Sequence, residues 1–296
     1  MRFAEIGQQL RTYRLESGLR AEEIAARLGV SRAALYRYEK GDVIKLDTIK
    51  RLAELLKISP LALLGIGVEY FSRPAGFFER IRQIEETADQ ILQMHGTVSY
   101  LNTSDAYDSA LAAAFAELGE AAQDRAGQRA VADQLLGILA DRKRQYTVRR
   151  PGIIAMLSTS ALQRFLQLGV AGFLPLSDRL RRIARDVAAS EVETIARIME
   201  SEPMGLQFGL LPDAAEFAGG FMVFRARDRA NLAINPLQPD LPPQAANGVA
   251  LVTGADEALA AHQRVAEANW RDAVKGAAGA ARMRELLAAA RQHATA

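Results

Sequence analysis

Arg32, Ala33, Tyr36 and Arg37 lie within a short segment, Ser31 to Glu39, whose apolar members Leu35 and Tyr38 fall three residues apart. On a helix this spacing puts Leu35 and Tyr38 on one face and leaves the two arginines, the alanine and Tyr36 on the free side. Guanidinium groups and a phenol on an open stripe recognise rather than react. Arginine forks onto carboxylate, onto phosphate, or onto the O6 and N7 edge of guanine. Such a stripe needs a rigid support, and the preceding residues supply one. Ala25 is small enough for two helices to cross closely, Gly29 four residues on suits a left-handed helix end, and Ser31 is a favoured N-cap for the helix that follows.

The segment RTYRLESGLRAEEIAARLGVSRAALYRYEKG resembles the Cro/phage-repressor (xenobiotic-response-element) family of helix-turn-helix proteins, and the likeness runs from about Ile6 to Leu64. It implies a five-helix, lambda-repressor-like DNA-binding domain with the Ser31 to Glu39 helix in the major groove of an operator in double-stranded DNA. Arg32, Ala33, Tyr36 and Arg37 would then face base edges. The resemblance also implies an internal ion pair, here Arg14 with Glu39. Five apolar stripes can be read independently: Ile6 and Leu10; Ile24 and Leu28; Leu35 and Tyr38; Ile49, Leu52 and Leu56; Leu61 and Leu64. Gly18 and Gly41 stop the first and third helices, and Ser59-Pro60 opens the fifth. Two positions depart from the family pattern: Ala21 stands where a polar residue often donates to phosphate, and Lys45 where a serine usually caps helix four. Phosphate contact is therefore assigned to Arg20, Ser31, Lys40 and Lys45. Twelve of the 37 Lys and Arg, against eight of the 35 Asp and Glu, fall within residues 1–65, so positive charge concentrates in this part of a chain of net charge +2.

With 296 residues the chain has room for more than this module, and 49% hydrophobic with 24% charged residues is ordinary for a folded protein. There is no apolar run near the ~18 residues of a membrane span, and the opening MRFAEIGQQLR lacks the apolar core of a secretory signal. A cytoplasmic location without membrane contact is expected. The chain has no cysteine, which excludes disulfides and thiolate metal sites. His95, His262 and His293 are scattered without metal-ligand spacing, and phosphate-cradling, dinucleotide and nucleophile-elbow motifs are missing. The expectation is a non-enzyme with no metal and no cofactor.

The remainder divides by pattern. Glycines and Pro74 between Gly65 and Gly76 suggest a joint, so residues 1–66 form the DNA-binding domain. Residues 67–150 read as a helical linker and dimerisation region. One helix is expected from Phe77 to about Met94, a second capped by Ser104 and ending at Gly119, and a third from Ala122 to Gln145. Residues 151–296 read as an α+β domain with a small sheet. Strand candidates are Ile153–Leu157, Leu206–Leu210, a hairpin of Gly220–Phe224 with Asn231–Asn235, and Val249–Thr253. Helices are expected from a Ser160 cap to Gly169, from Ser177 through Met199, and from Ala255 to Val274 ahead of the alanine-rich end. The fold class is mainly α with this α+β part.

These features point to a homodimeric DNA-binding regulator, a repressor, whose C-terminal part senses a small-molecule effector. Arg225, Arg227 and Arg229 near Phe224 suit a small anion with an apolar tail, and the loop Asn235 to Gly248 suits a pocket rim. The same charge run also reads as a solvated turn. Two alternatives remain open: a protein-contact module with a head that no longer binds DNA, and self-cleavage at Ala75-Gly76 by Ser104 or Ser109 with Lys143 as base.

Overall fold

In the computed structural model, residues 3–64, 67–211, 220–237 and 248–295 are described. The chain begins with five helices: α1 (Phe3–Ser17), α2 (Ala21–Leu28), α3 (Arg32–Glu39), α4 (Leu46–Leu56) and α5 (Pro60–Leu63). Local chemistry sets their ends. Gly29 closes α2 in the left-handed region, its N–H directed at the carbonyls of Ala25 and Ala26. The Ser31 hydroxyl accepts from the Ala34 N–H at 3.1 Å, and Ser59 accepts from Ala62 at 3.0 Å with Pro60 in the first turn. Leu10, Ile24, Leu35, Leu52 and Leu63 are fully buried where the five helices meet. Gly7 lets α1 cross α3 at backbone contact, since a Cβ there would lie 2.5 Å from the Tyr38 carbonyl oxygen.

Among the described residues a seven-stranded mixed sheet forms the body. Its strands are β1 (Val68–Phe71), β2 (Gln90–Gly96), β3 (Gly152–Ser158), β4 (Leu206–Leu211), β5 (Phe221–Arg225), β6 (Ala230–Ile234) and β7 (Ala250–Thr253), in the order β1-β7-β6-β5-β2-β3-β4. Strands β2, β3 and β4 run parallel, and the other pairings are antiparallel. Parallel neighbours need long crossovers. Helices α7 (Asp105–Glu120) and α8 (Arg125–Arg149) carry the chain from β2 to β3, and α9 (Thr159–Leu168) and α10 (Asp178–Ser201) carry it from β3 to β4. Helix α6 (Pro74–Glu85) precedes β2, while α11 (Asp256–Asp272) and α12 (Gly276–Thr295) follow β7.

Both faces of the sheet are covered, and alternate residues serve the two sides. Ile91, Ile153, Ala155, Phe208 and Phe224 enter the large core shared with most of the helices. Leu92, Met94, Met156, Val223 and Leu232 pack with Ala266 of α11, with Leu259 and Trp270 alongside. Burial on both faces accounts for the unbroken apolar run of β3.

Several expectations are corrected here. The stretch from Phe77 to Met94 is not one helix. Helix α6 ends at Glu85, and Gln90–Gly96 becomes a strand between β3 and β5. Ile91 and Leu92 fit a helical repeat and a buried strand equally well, and pairing on both edges decides the matter. The middle region is therefore not simply helical. The division drawn after Arg150 falls inside one sheet, because Gln90 to Met94 pairs with Gly152 to Met156. Residues 68–71, read as part of a joint, form β1 against β7. Ser158 rather than Ser160 caps α9, accepting from the Ala161 N–H. The strand candidates of the C-terminal part are all present, including the β5–β6 hairpin. Gly65 and Ile66 of the expected joint, and residues 238–247 of the expected rim, lie outside the described residues.

Candidate nucleic-acid interface

Helix α3 packs on α1 and α2 through its buried Leu35 and presents its other side outward. Arg32, Ala33 and Arg37 are exposed and Tyr36 is half-buried, so the four residues assigned to base edges share one accessible stripe. The Arg32 side chain is 59% exposed, lies 2.8 Å from a Glu22 carboxylate oxygen and donates to the Tyr36 hydroxyl at 3.3 Å. That hydroxyl, and then the Glu22 carboxylate, hold its pKa above the ordinary arginine value. Arg37 is 68% exposed and its Nε lies 3.5 Å from Asp42. Pairs this open to water are weak and are readily exchanged for a phosphate or a base edge.

A buried brace underlies this surface. The Arg14 guanidinium of α1 donates twice to Glu39 at the end of α3, at 2.5 and 3.0 Å, as the resemblance implied. The same guanidinium lies 5.9 Å from the Tyr36 ring centre, while Arg32 lies 5.3 Å from it. Tyr36 thus carries contact from the brace to the open stripe. Arg51 of α4 adds a support that the sequence reading missed: its Nη2 donates to the Leu28 carbonyl at the end of α2, at 3.0 Å. No local signal could have found it, since the partner is 23 residues away.

The four residues assigned to phosphate are all exposed. Arg20 precedes α2, and its backbone N–H donates to Glu23 at 2.7 Å. Ser31 already uses its hydroxyl as the α3 cap. Lys40 closes α3, and Lys45 stands at the N-cap of α4 without a side-chain cap bond. Ala21, where the resemblance leads one to expect a polar donor, is buried and belongs to the core. Val43 and Leu46 are exposed apolar residues beside Lys45 that periodicity gave no reason to single out.

The rest of the chain approaches from the far side of α1. Arg11 lies 2.9 Å from the fully buried Glu79 of α6, and Gln83 donates to the Thr12 hydroxyl at 3.0 Å and to the Gln8 carbonyl at 3.1 Å. Glu16 accepts from the Ser72 N–H and hydroxyl and from the Arg73 N–H, at 2.6, 2.7 and 3.0 Å. Burial nonetheless pushes its carboxyl above the ordinary range. Tyr13 stacks on Phe71 at 6.0 Å. The body therefore grips α1 and leaves the α3 stripe open.

The residues proposed for an effector do not converge. Arg225 donates to the Gln90 side chain at 2.7 Å, Arg229 donates to the Thr87 hydroxyl at 3.1 Å, and Arg227 is exposed on the turn. Phe224 is buried in the core. For self-cleavage, the Lys143 amine lies 2.6 Å from Asp108, the Ser104 hydroxyl donates to Glu191, and Ala75-Gly76 is buried in the first turn of α6. Among the described residues no cluster of His, Asp and Glu is placed to hold a metal ion, and no helix is long and apolar enough to cross a membrane.

Residues 5–64 match a family model described as a helix-turn-helix domain. No curated protein matches the chain.

Proposed function

We propose that this helix-turn-helix domain makes the protein a sequence-specific DNA-binding transcriptional regulator, with α3 entering the major groove of an operator. One observation carries the reading: the outward stripe of Arg32, Ala33, Tyr36 and Arg37 is fixed from beneath by the buried Arg14–Glu39 pair and is left uncovered by the body. Arg32 and Arg37 supply base readout, and Arg20, Ser31, Lys40 and Lys45 supply contacts to the backbone. A single head makes few contacts, so a homodimer on two half-sites follows from the affinity that specific binding requires. A head seated on a promoter blocks polymerase without further machinery, which favours repression. The proposed setting is the cytoplasm, and the body is the proposed sensor of a small effector.

Selecting bound fragments from the parent genome tests this directly. The expected result is a recurrent motif with two half-sites about one helical turn apart, bound by a dimer in sizing experiments. Weak binding without sequence preference at every salt concentration would instead favour a head that contacts protein.

A further inference from the structure

Beyond residue 65 the chain carries 25 basic against 27 acidic residues, yet segment 159–189 reverses that balance. It holds Arg164, Arg179, Arg181, Arg182 and Arg185 against Asp178 and Asp186, a local charge of +3. All five arginines are exposed. Arg149 and Arg284 elsewhere in the body take carboxylate partners, but none of these five forms an ion pair among the described residues. Arg181 and Arg185 donate to the backbone carbonyls of Leu176 and Gln167, at 3.1 and 2.7 Å.

Two exposed apolar side chains stand among these cations. The stretch from Gly169 to Leu176 turns back along the start of α10: the Val170 N–H donates to the Ala184 carbonyl at 3.2 Å, and the Leu176 carbonyl accepts from Arg181. Phe173 lies between those two anchors and is 56% exposed, while every other phenylalanine side chain among the described residues is buried. Arg179, Arg182 and Ile183 fall three and four residues apart on the outer side of α10, away from the buried Ala188, Val192 and Ile195, and Ile183 is 41% exposed. Asp186 follows on that side one turn later. Arg164 stands one turn before Gln167 on α9, next to the carbonyl that holds Arg185.

Guanidinium groups without carboxylate partners attract a polyanion, and phosphate is an anion onto which arginine forks. Phe173 and Ile183 narrow the choice. A duplex would meet the arginines along its backbone and leave the phenyl ring in water, whereas the boundary between lipid headgroups and acyl chains takes both kinds of side chain. We infer that this corner of the body docks on an anionic phospholipid surface, with the arginines at headgroup phosphates and Phe173 and Ile183 among the first methylenes. Contact of this kind needs no membrane-spanning helix, and none is present among the described residues. Helix α10 packs on α7, α9, α12 and β4, whereas α6 and the Ser72–Arg73 turn hold the head, so lipid contact and DNA contact use different surfaces. The inference does not rest on the regulator reading.

Co-sedimentation of the full chain with lipid vesicles tests the surface. Vesicles of equal parts phosphatidylglycerol and phosphatidylcholine should pellet the protein, pure phosphatidylcholine should leave it in solution, and salt near about 1 M should release it. Arg179→Gln with Arg182→Gln should weaken vesicle binding about twentyfold, at about fivefold for each arginine. Phe173→Ser should weaken it about threefold or more. All three positions are exposed, so the fold is retained. Because the head is basic as well, Arg27→Gln with Lys50→Gln removes the same charge from exposed head positions and should leave vesicle binding unchanged. No binding to the mixed vesicles, equal binding to pure phosphatidylcholine, an affinity unmoved by Phe173→Ser, or a loss matched by the head variant would overturn the assignment. So would a patch variant that keeps its vesicle affinity and loses affinity for an unrelated duplex, which would make this corner a nucleic-acid contact. Failure to select an operator would sink the regulator reading and leave the vesicle result as it stands.

Discussion

The outer stripe of α3 and the seam between α1 and α6 are built from the same residue types, arginine and carboxylate, and they do opposite things. On α3, Arg32 and Arg37 meet Glu22 and Asp42 in water, with more than half of every side chain exposed. In the seam, Glu79 has no exposure and takes Arg82 at 2.9 Å together with Arg11. An exposed pair gains little and can change partners, whereas a buried pair gains its value from being complete. Charge type alone therefore does not distinguish a binding surface from a structural joint. Burial does.

The strongest way to break this contrast is Glu79→Ala, which leaves Arg82 in the seam without that partner. A loss of about 3 kcal/mol in urea unfolding is expected, and a loss near zero would mean the seam is as loose as the outer stripe. Arg37→Ala should do the reverse. Unfolding should stay within about 0.5 kcal/mol of the parent, while discrimination at one base pair falls by about 1–3 kcal/mol in competition binding. Ser31→Ala removes the α3 cap and should cost about 1 kcal/mol of stability, measured as a shift in urea midpoint. Lys45→Ala should leave folding unchanged and lower the slope of log affinity against log salt by about one; an unaltered slope would remove Lys45 from the phosphate contacts.

The smallest effect concerns pH at Glu16. Its carboxyl is raised by burial, so between the ordinary carboxylate pKa and the raised value the native state binds more proton than the unfolded chain. The associated stabilisation is complete below the ordinary carboxylate pKa and fades as pH rises through the raised value. Glu16→Gln should remove that component from a stability-versus-pH curve, and an identical curve would place Glu16 in open solvent.

The head was legible in the sequence because its signals are local. Gly29, Ser31 and Ser59-Pro60 act within a turn of their own positions, and the five apolar stripes meet within about 60 residues. Even Arg14 and Glu39, 25 residues apart, came through the resemblance rather than from spacing. The body was less readable. Strand β2 finds β3 across two intervening helices, and Gln90 and Gly152 carry no mark of their pairing. The Glu85–Arg142 pair spans 57 residues and joins two helices, a separation at which no local pattern marks a partner. Arg225 and Arg229, chosen as a ligand cluster, instead tie the hairpin to Gln90 and Thr87.

Helix α1 is held on both flanks, by Glu39 of α3 on one and by Glu79 and Gln83 of α6 on the other. Helix α3 consequently has a fixed heading relative to the sheet instead of swinging on a tether. Two copies joined through their bodies would present their reading helices in a set phase. Inserting one base pair between half-sites rotates the second site by roughly 35° about the duplex axis, and such an assembly has no slack with which to follow it.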